Sequence, residues 1–71
     1  MNPYAELANA IVLSAVKDYR KALKRLKKFP WDESSRIMKK ECERFFRSGW
    51  FAVLTSIDSE VLIEKLKAEV A

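Results

Sequence analysis

The stretch YAELANAIVLSAVKDYRKALKRLKKFP, residues 4–30, decides the fold. Tyr4, Leu7, Ala8, Ile11, Val12, Ala15, Val16, Tyr19, Ala22, Leu23 and Leu26 recur at spacings of three and four. Wound at about 3.6 residues per turn, they cover about half of a helical circumference, the width of a face packed on one side. Lys17, Arg20, Lys21, Lys24, Lys27 and Lys28 fall on the other half. Asn2 followed by Pro3 reads as an N-cap with proline in the first turn. Pro30 ends the helix, because the residue before a proline is pushed out of helical geometry. Such a helix is roughly 40 Å long, more than the rest of so short a chain can cover.

Outward from this helix, the connector FPWDESS carries the next start signal. Asp32 is a natural N-cap, and Glu33 suits the positive end of a helix from about 33 to 47. Met38, Cys42, Phe45 and Phe46 would form its buried face, with Lys39–Glu43 and Glu43–Arg47 as surface pairs at i,i+4. Ser48 and Gly49 break the pattern. The apolar run from Trp50 to Ile57 reads as a short helix, although a strand of that length stays open. Asp58 caps a last helix, with Glu60 in its first turn and Leu62, Ile63, Leu66 and Val70 facing inward. The expectation is one all-α domain over residues 1–71: a long N-terminal helix packed against a medium helix and a short helical tail.

Seventy-one residues bury only a modest core. Chains of this size usually add a disulfide, a metal or a partner subunit. The sequence has one cysteine, Cys42, and no histidine. An intramolecular disulfide is therefore impossible, and the thiol alone cannot build a structural zinc site. Completion by a homo-oligomer, a dimer or larger, is what remains. Ala8, Ala15 and Ala22, seven apart, would form a groove of small side chains for a neighbouring helix, with Leu13 exposed beside it. No apolar run reaches the roughly 20 residues of a membrane span, and the first residues do not read as a signal peptide. The lone cysteine fits a reducing cytoplasm.

Charge is concentrated. Lys17, Arg20, Lys21, Lys24, Arg25, Lys27 and Lys28 stand against Asp18 alone, +6 over twelve residues, while the other seven cations and nine anions leave −2. Cations favour a helix C-terminus, but that effect fades within one turn and this run covers about three. Like charges at Lys17–Lys21, Lys21–Arg25 and Lys24–Lys28 oppose helix formation. Either the run is a plain solvated face, or an anionic partner gives it a purpose: nucleic acid, a phosphorylated small molecule, an acidic protein or anionic lipid. The last is disfavoured, because an interfacial helix wants a bulky apolar face with aromatics and this one is alanine-rich.

A second candidate lies in RFFRSGWFAVL, residues 44–54. Phe45 and Phe46 continue the buried face. Arg44, Arg47, Ser48 and Trp50 gather two cations, a hydroxyl at a helix start and an aromatic ring, the elements of a phosphate-and-base site. The plainer alternative has Ser48 as a cap, Trp50 in the core and Arg47 paired with Glu43. Without histidine or a second cysteine, neither a common general base nor thiol redox chemistry is provided, and no catalytic residue, metal ligand or cofactor is assigned.

The blocks YAELANAIVLSAVKDYRKALKRL, ECERFFRSGWFAVLTSID and EVLIEKL resemble short, mostly uncharacterised prophage and mobile-element proteins of Firmicutes. The resemblance implies a small non-catalytic protein in the host cytoplasm. It is consistent with an antagonist of host-defence signalling that sequesters a nucleotide, with Arg44, Arg47, Ser48 and Trp50 as the ligand-binding residues. A nucleic-acid-binding regulator using the basic face, or an inhibitor docking on a host protein, are the alternatives.

Overall fold

The computed structural model describes the backbone of residues 3–70 and the side chains from Glu6 onward. It contains four helices, α1 (Pro3–Lys28), α2 (Glu33–Phe46), α3 (Gly49–Leu54) and α4 (Ser59–Val70), and no strand among the described residues. The run after Gly49 is thus helical up to Leu54, and 55–58 form a non-helical connection. The N-cap expected at Asn2 and the side chain of Tyr4 lie outside the described residues.

α2 returns antiparallel to α1, and α4 runs back parallel to it. Arg25 meets Asp32 at one end of the hairpin, Tyr19 meets Glu43 farther along, and Arg20 meets Glu69 near the end of α4. The longest dimension is 42 Å against 19 Å for the other two. α1, 26 residues long, accounts for about 39 Å of it. The shorter helices leave its first turns uncovered: no described residue before Val12 is buried. Leu7, expected on the packed face, is 61% exposed for this reason, and Leu13 is exposed as expected.

The core forms where the helices overlap, from Val12, Val16, Tyr19, Cys42, Phe46, Phe51, Ile63 and Leu66, with Phe45, Leu54 and Leu62 packed against it. Tyr19 meets Phe46 edge-to-face at 5.5 Å, and Phe46 meets Phe51 at 5.5 Å. Phe45 closes the group against Phe51 at 5.7 Å. Each such pair adds about 0.5–1.5 kcal/mol beyond the burial itself. Six-residue α3 owes its position to this cluster, since so short a helix does not hold by itself.

The buried face of α2 differs from expectation. Ser35, Cys42 and Phe46 are buried, whereas Met38 is 40% exposed. Ala22 and Ser35 line one groove between α1 and α2, with Met38 at its rim. Two small side chains bring the helices together there, and the serine hydroxyl is satisfied by donating to Asp32 Oδ2. Asp32 occupies the N-cap position but makes no side-chain capping bond. Its carboxylate is turned to the Ser35 hydroxyl and the Arg25 guanidinium, which hold its pKa below the ordinary value. Asp58 does cap α4, its Oδ1 accepting from the N–H groups of Glu60 at 2.9 Å and Val61 at 3.3 Å.

Candidate functional site

The sequence-predicted basic face is sorted by the fold into two groups. Arg20 reaches across to Glu69 with two bonds, 2.8 and 3.2 Å. Lys27 Nζ donates to the Val70 carbonyl at 2.8 Å. Arg25 pairs with Asp32 at 2.8 Å. Lys17, Lys21, Lys24 and Lys28 make no hydrogen bond or ion pair among the described residues, and all four are exposed.

Helical geometry places those four together. At about 100° per residue, Lys17, Lys21, Lys24 and Lys28 lie within about 60° of one another, in a row about 16 Å long. Arg20 and Lys27 stand about 70–90° to one side of this row and Arg25 about 70° to the other. The core residues Val12 and Tyr19, with half-buried Leu26, lie on the opposite face. Glu69 of α4 and Asp32 of the α1–α2 turn therefore neutralise Arg20 and Arg25, Lys27 is tied to a neutral carbonyl, and a single file of ammonium groups faces solvent. Leu13 and Ala10 continue the line towards the start of α1.

The residues of the second candidate stand at the end of α2 and the start of α3, and two of them are already engaged. Ser48 caps α3: its Oγ accepts from the Phe51 N–H at 3.3 Å and donates to the Phe45 carbonyl at 2.6 Å. Arg47 is bound to Glu60 through Nε at 2.7 Å and Nη2 at 3.4 Å. This contact raises the Arg47 pKa and lowers that of Glu60. Arg44 is exposed without an ion pair among the described residues. Trp50 is not in the core; it is 58% exposed.

The Glu43–Arg47 pair expected from spacing does not form, because Glu43 is turned inward. Its Oε2 accepts from the Tyr19 hydroxyl at 2.6 Å and faces Lys39 at 3.4 Å and Lys67 at 3.8 Å. Burial alone would raise the Glu43 carboxyl, but Tyr19, Lys39 and Lys67 outweigh it and hold its pKa below the usual value. Burial, and then the hydrogen bond to Glu43, push the Tyr19 phenol strongly upward. These groups are thus a structural knot joining α1, α2 and α4. Lys39–Glu43 was legible at i,i+4; Tyr19–Glu43, 24 residues apart, was not.

One further feature carried no signal of periodicity. The connector displays Trp31, 75% exposed, and Phe29, 42% exposed, edge-to-face at 6.1 Å. The sign of it in the sequence is a tryptophan placed between a proline and a helix cap, where no amphipathic face is available to bury it.

No group of three or more cysteine, aspartate or glutamate residues among those described is arranged to hold a metal ion, and no described helix is long and apolar enough to cross a membrane. Compared with known proteins, the chain matches no family model, no curated protein and no solved structure.

Proposed function

We propose that this chain is a non-catalytic nucleic-acid-binding regulator that holds the phosphate backbone along α1 without reading base sequence. The observation that carries this reading is the sorting of cations: three of seven are consumed by internal partners, and the remaining four stand in line. Like charges at this spacing cost stability, and an opposing row of phosphates would relieve that cost. Four phosphate contacts correspond to a slope of about −3.6 in log affinity against log salt for a duplex, and about −2.8 for a single strand. Duplex affinity should then fall about 150-fold between about 50 and 200 mM salt. Replacing Lys21 and Lys24 by glutamine should reduce that fall to about 12-fold. Fluorescence anisotropy with a labelled oligonucleotide measures both. Affinity insensitive to salt, or unchanged by the double substitution, would refute the reading.

A second reading rests on the exposure of Trp50 beside Arg47 and Ser48. In it, an oligomer of the chain sequesters a nucleotide in the host cytoplasm, in keeping with the resemblance to prophage proteins. Trp50 stacks on the base, Arg47 leaves Glu60 for phosphate, and Arg44 adds charge. The exposed Leu7 and Leu13 supply apolar surface for assembly. Native mass spectrometry of protein from a Firmicutes host supports it if each site carries an excess of a few hundred daltons, on the order of a nucleotide, that Trp50→Ala removes.

A further inference from the structure

We propose that Phe29 and Trp31 form a stacking platform for an unpaired base, so that the lysine row takes a strand with at least one nucleotide out of a duplex. This rests on the backbone-binding reading above and says which form of nucleic acid the same surface prefers.

The platform is built before any ligand arrives. Phe29, Pro30, Trp31 and Asp32 make a turn closed by the Asp32 N–H donating to the Phe29 carbonyl at 3.0 Å. Proline at its second position fixes the backbone there. Asp32 is tied back on both sides, to the Arg25 guanidinium at 2.8 Å and to the Ser35 hydroxyl. Arg25 also lies over the Phe29 ring, 5.4 Å from its centroid. A turn held at so many points leaves little conformational freedom to lose on binding. Yet its third residue is the most exposed tryptophan of the chain, and the core does not use it. Turns ordinarily take glycine, asparagine, aspartate or serine there.

Charge of both signs lies near this ring pair: Asp32, held by Arg25, and the exposed Glu33 follow Trp31. Lys28, the last of the row on α1, immediately precedes Phe29. On the other side, Pro30 shares a groove with Leu26, Arg36, Lys39 and Lys40, of which only Lys39 has an acidic partner among the described residues. Phosphates running along α1 would thus arrive at two aromatic rings between Lys28 and the cations that line the Pro30 groove. Aromatic platforms beside a cationic track are how proteins hold single strands, since every base has a stackable face. An interfacial membrane helix would instead spread its apolar side chains along its own length. Among the described residues α1 exposes only Leu7 and Leu13 as large hydrophobics, and the ring pair sits in the turn at its end.

The test compares two labelled probes, a 20-nucleotide mixed-sequence single strand and the blunt duplex of the same sequence, at one salt concentration. Trp31→Ala should weaken single-strand binding about tenfold, the loss expected for one base–aromatic stack. It should alter duplex binding less than about twofold and leave the duplex salt slope unchanged. Trp31→Phe should retain most of the single-strand affinity. Circular dichroism melts identify any variant that fails to fold. Equal losses on both probes, or none on the single strand, would overturn the platform while leaving the lysine row standing. If the wild-type protein binds neither probe, both readings fall. Cosedimentation with phosphatidylglycerol vesicles that Trp31→Ala abolishes, without oligonucleotide binding, would likewise overturn the proposal in favour of a lipid surface.

Discussion

Removing one oxygen atom from the core should reveal how much the knot at Glu43 stabilises the fold. In Tyr19→Phe the ring, wholly buried, keeps its packing against Phe46, and only the hydroxyl that donates to Glu43 at 2.6 Å is lost. A hydrogen bond to a charged acceptor contributes about 1.5–3 kcal/mol. Glu43, with 14% of its side chain exposed, keeps Lys39 and Lys67 nearby and is not left as a bare buried charge. The expected loss therefore lies at the lower end, about 2 kcal/mol. For a domain of this size that lowers the melting temperature by about 8–16 °C.

The pH dependence has a definite sign. The folded pKa of Glu43 is depressed below its ordinary value of 4.5, so its stabilisation is present above that pH and is lost as pH falls through the folded value. The gap between wild type and Tyr19→Phe should consequently narrow below pH 4.5. Urea unfolding at neutral pH and at acid pH, followed by circular dichroism, measures both quantities. A difference under about 0.5 kcal/mol at neutral pH, or one that does not narrow in acid, would refute the reasoning.

Two other consequences are measurable in the same way. Ser48→Ala removes the α3 cap and should cost about 1 kcal/mol in chemical denaturation, with Ser48→Asp recovering part of it. Burial, reinforced by Asp18, Glu41 and Glu43, pushes the Cys42 thiol up to about 11 from an ordinary 9.0. The folded protein should therefore resist thiol reagents at mild alkaline pH until denaturant is added. Because that folded pKa is raised, the contribution is intact below 9.0 and declines as pH rises towards 11, and Cys42→Ala should flatten this decline.

Helix positions were legible because each rests on local signals. Pro30 stops α1, Asp58 and Ser48 cap the helices that follow, and a 3.6-residue period runs through all the longer elements. What the period could not supply was the extent of cover. Leu7 belongs to the apolar face of α1 by phase, but the later helices end before they reach it. Met38 likewise shares the phase of Cys42 and Phe45. It lost its place to Ser35 because a close approach at Ala22 needs a small side chain, which hydrophobicity alone does not reveal. Partner choice was the least legible. Arg47 had an acid one turn back in Glu43 and another, Glu60, brought near only by the α3–α4 connection. The tertiary contact of Tyr19 with Glu43 decided between them. The cations of α1 were all visible as a run. Which of them would be left without a partner depended on where Glu69, the Val70 carbonyl and Asp32 came to lie.

The spacing of the four unpaired lysines has a kinetic consequence. They alternate four and three residues apart, so a displacement of about 5 Å along the axis brings the row nearly into coincidence with itself. A surface that repeats in this way offers a polyanion many almost equivalent registers separated by low barriers. If it binds as proposed, it would grip without indexing, and a bound strand would be free to creep lengthwise while remaining held. Nothing in the row marks a starting point. Any fixed position along a strand would have to be set by the aromatic turn at its end.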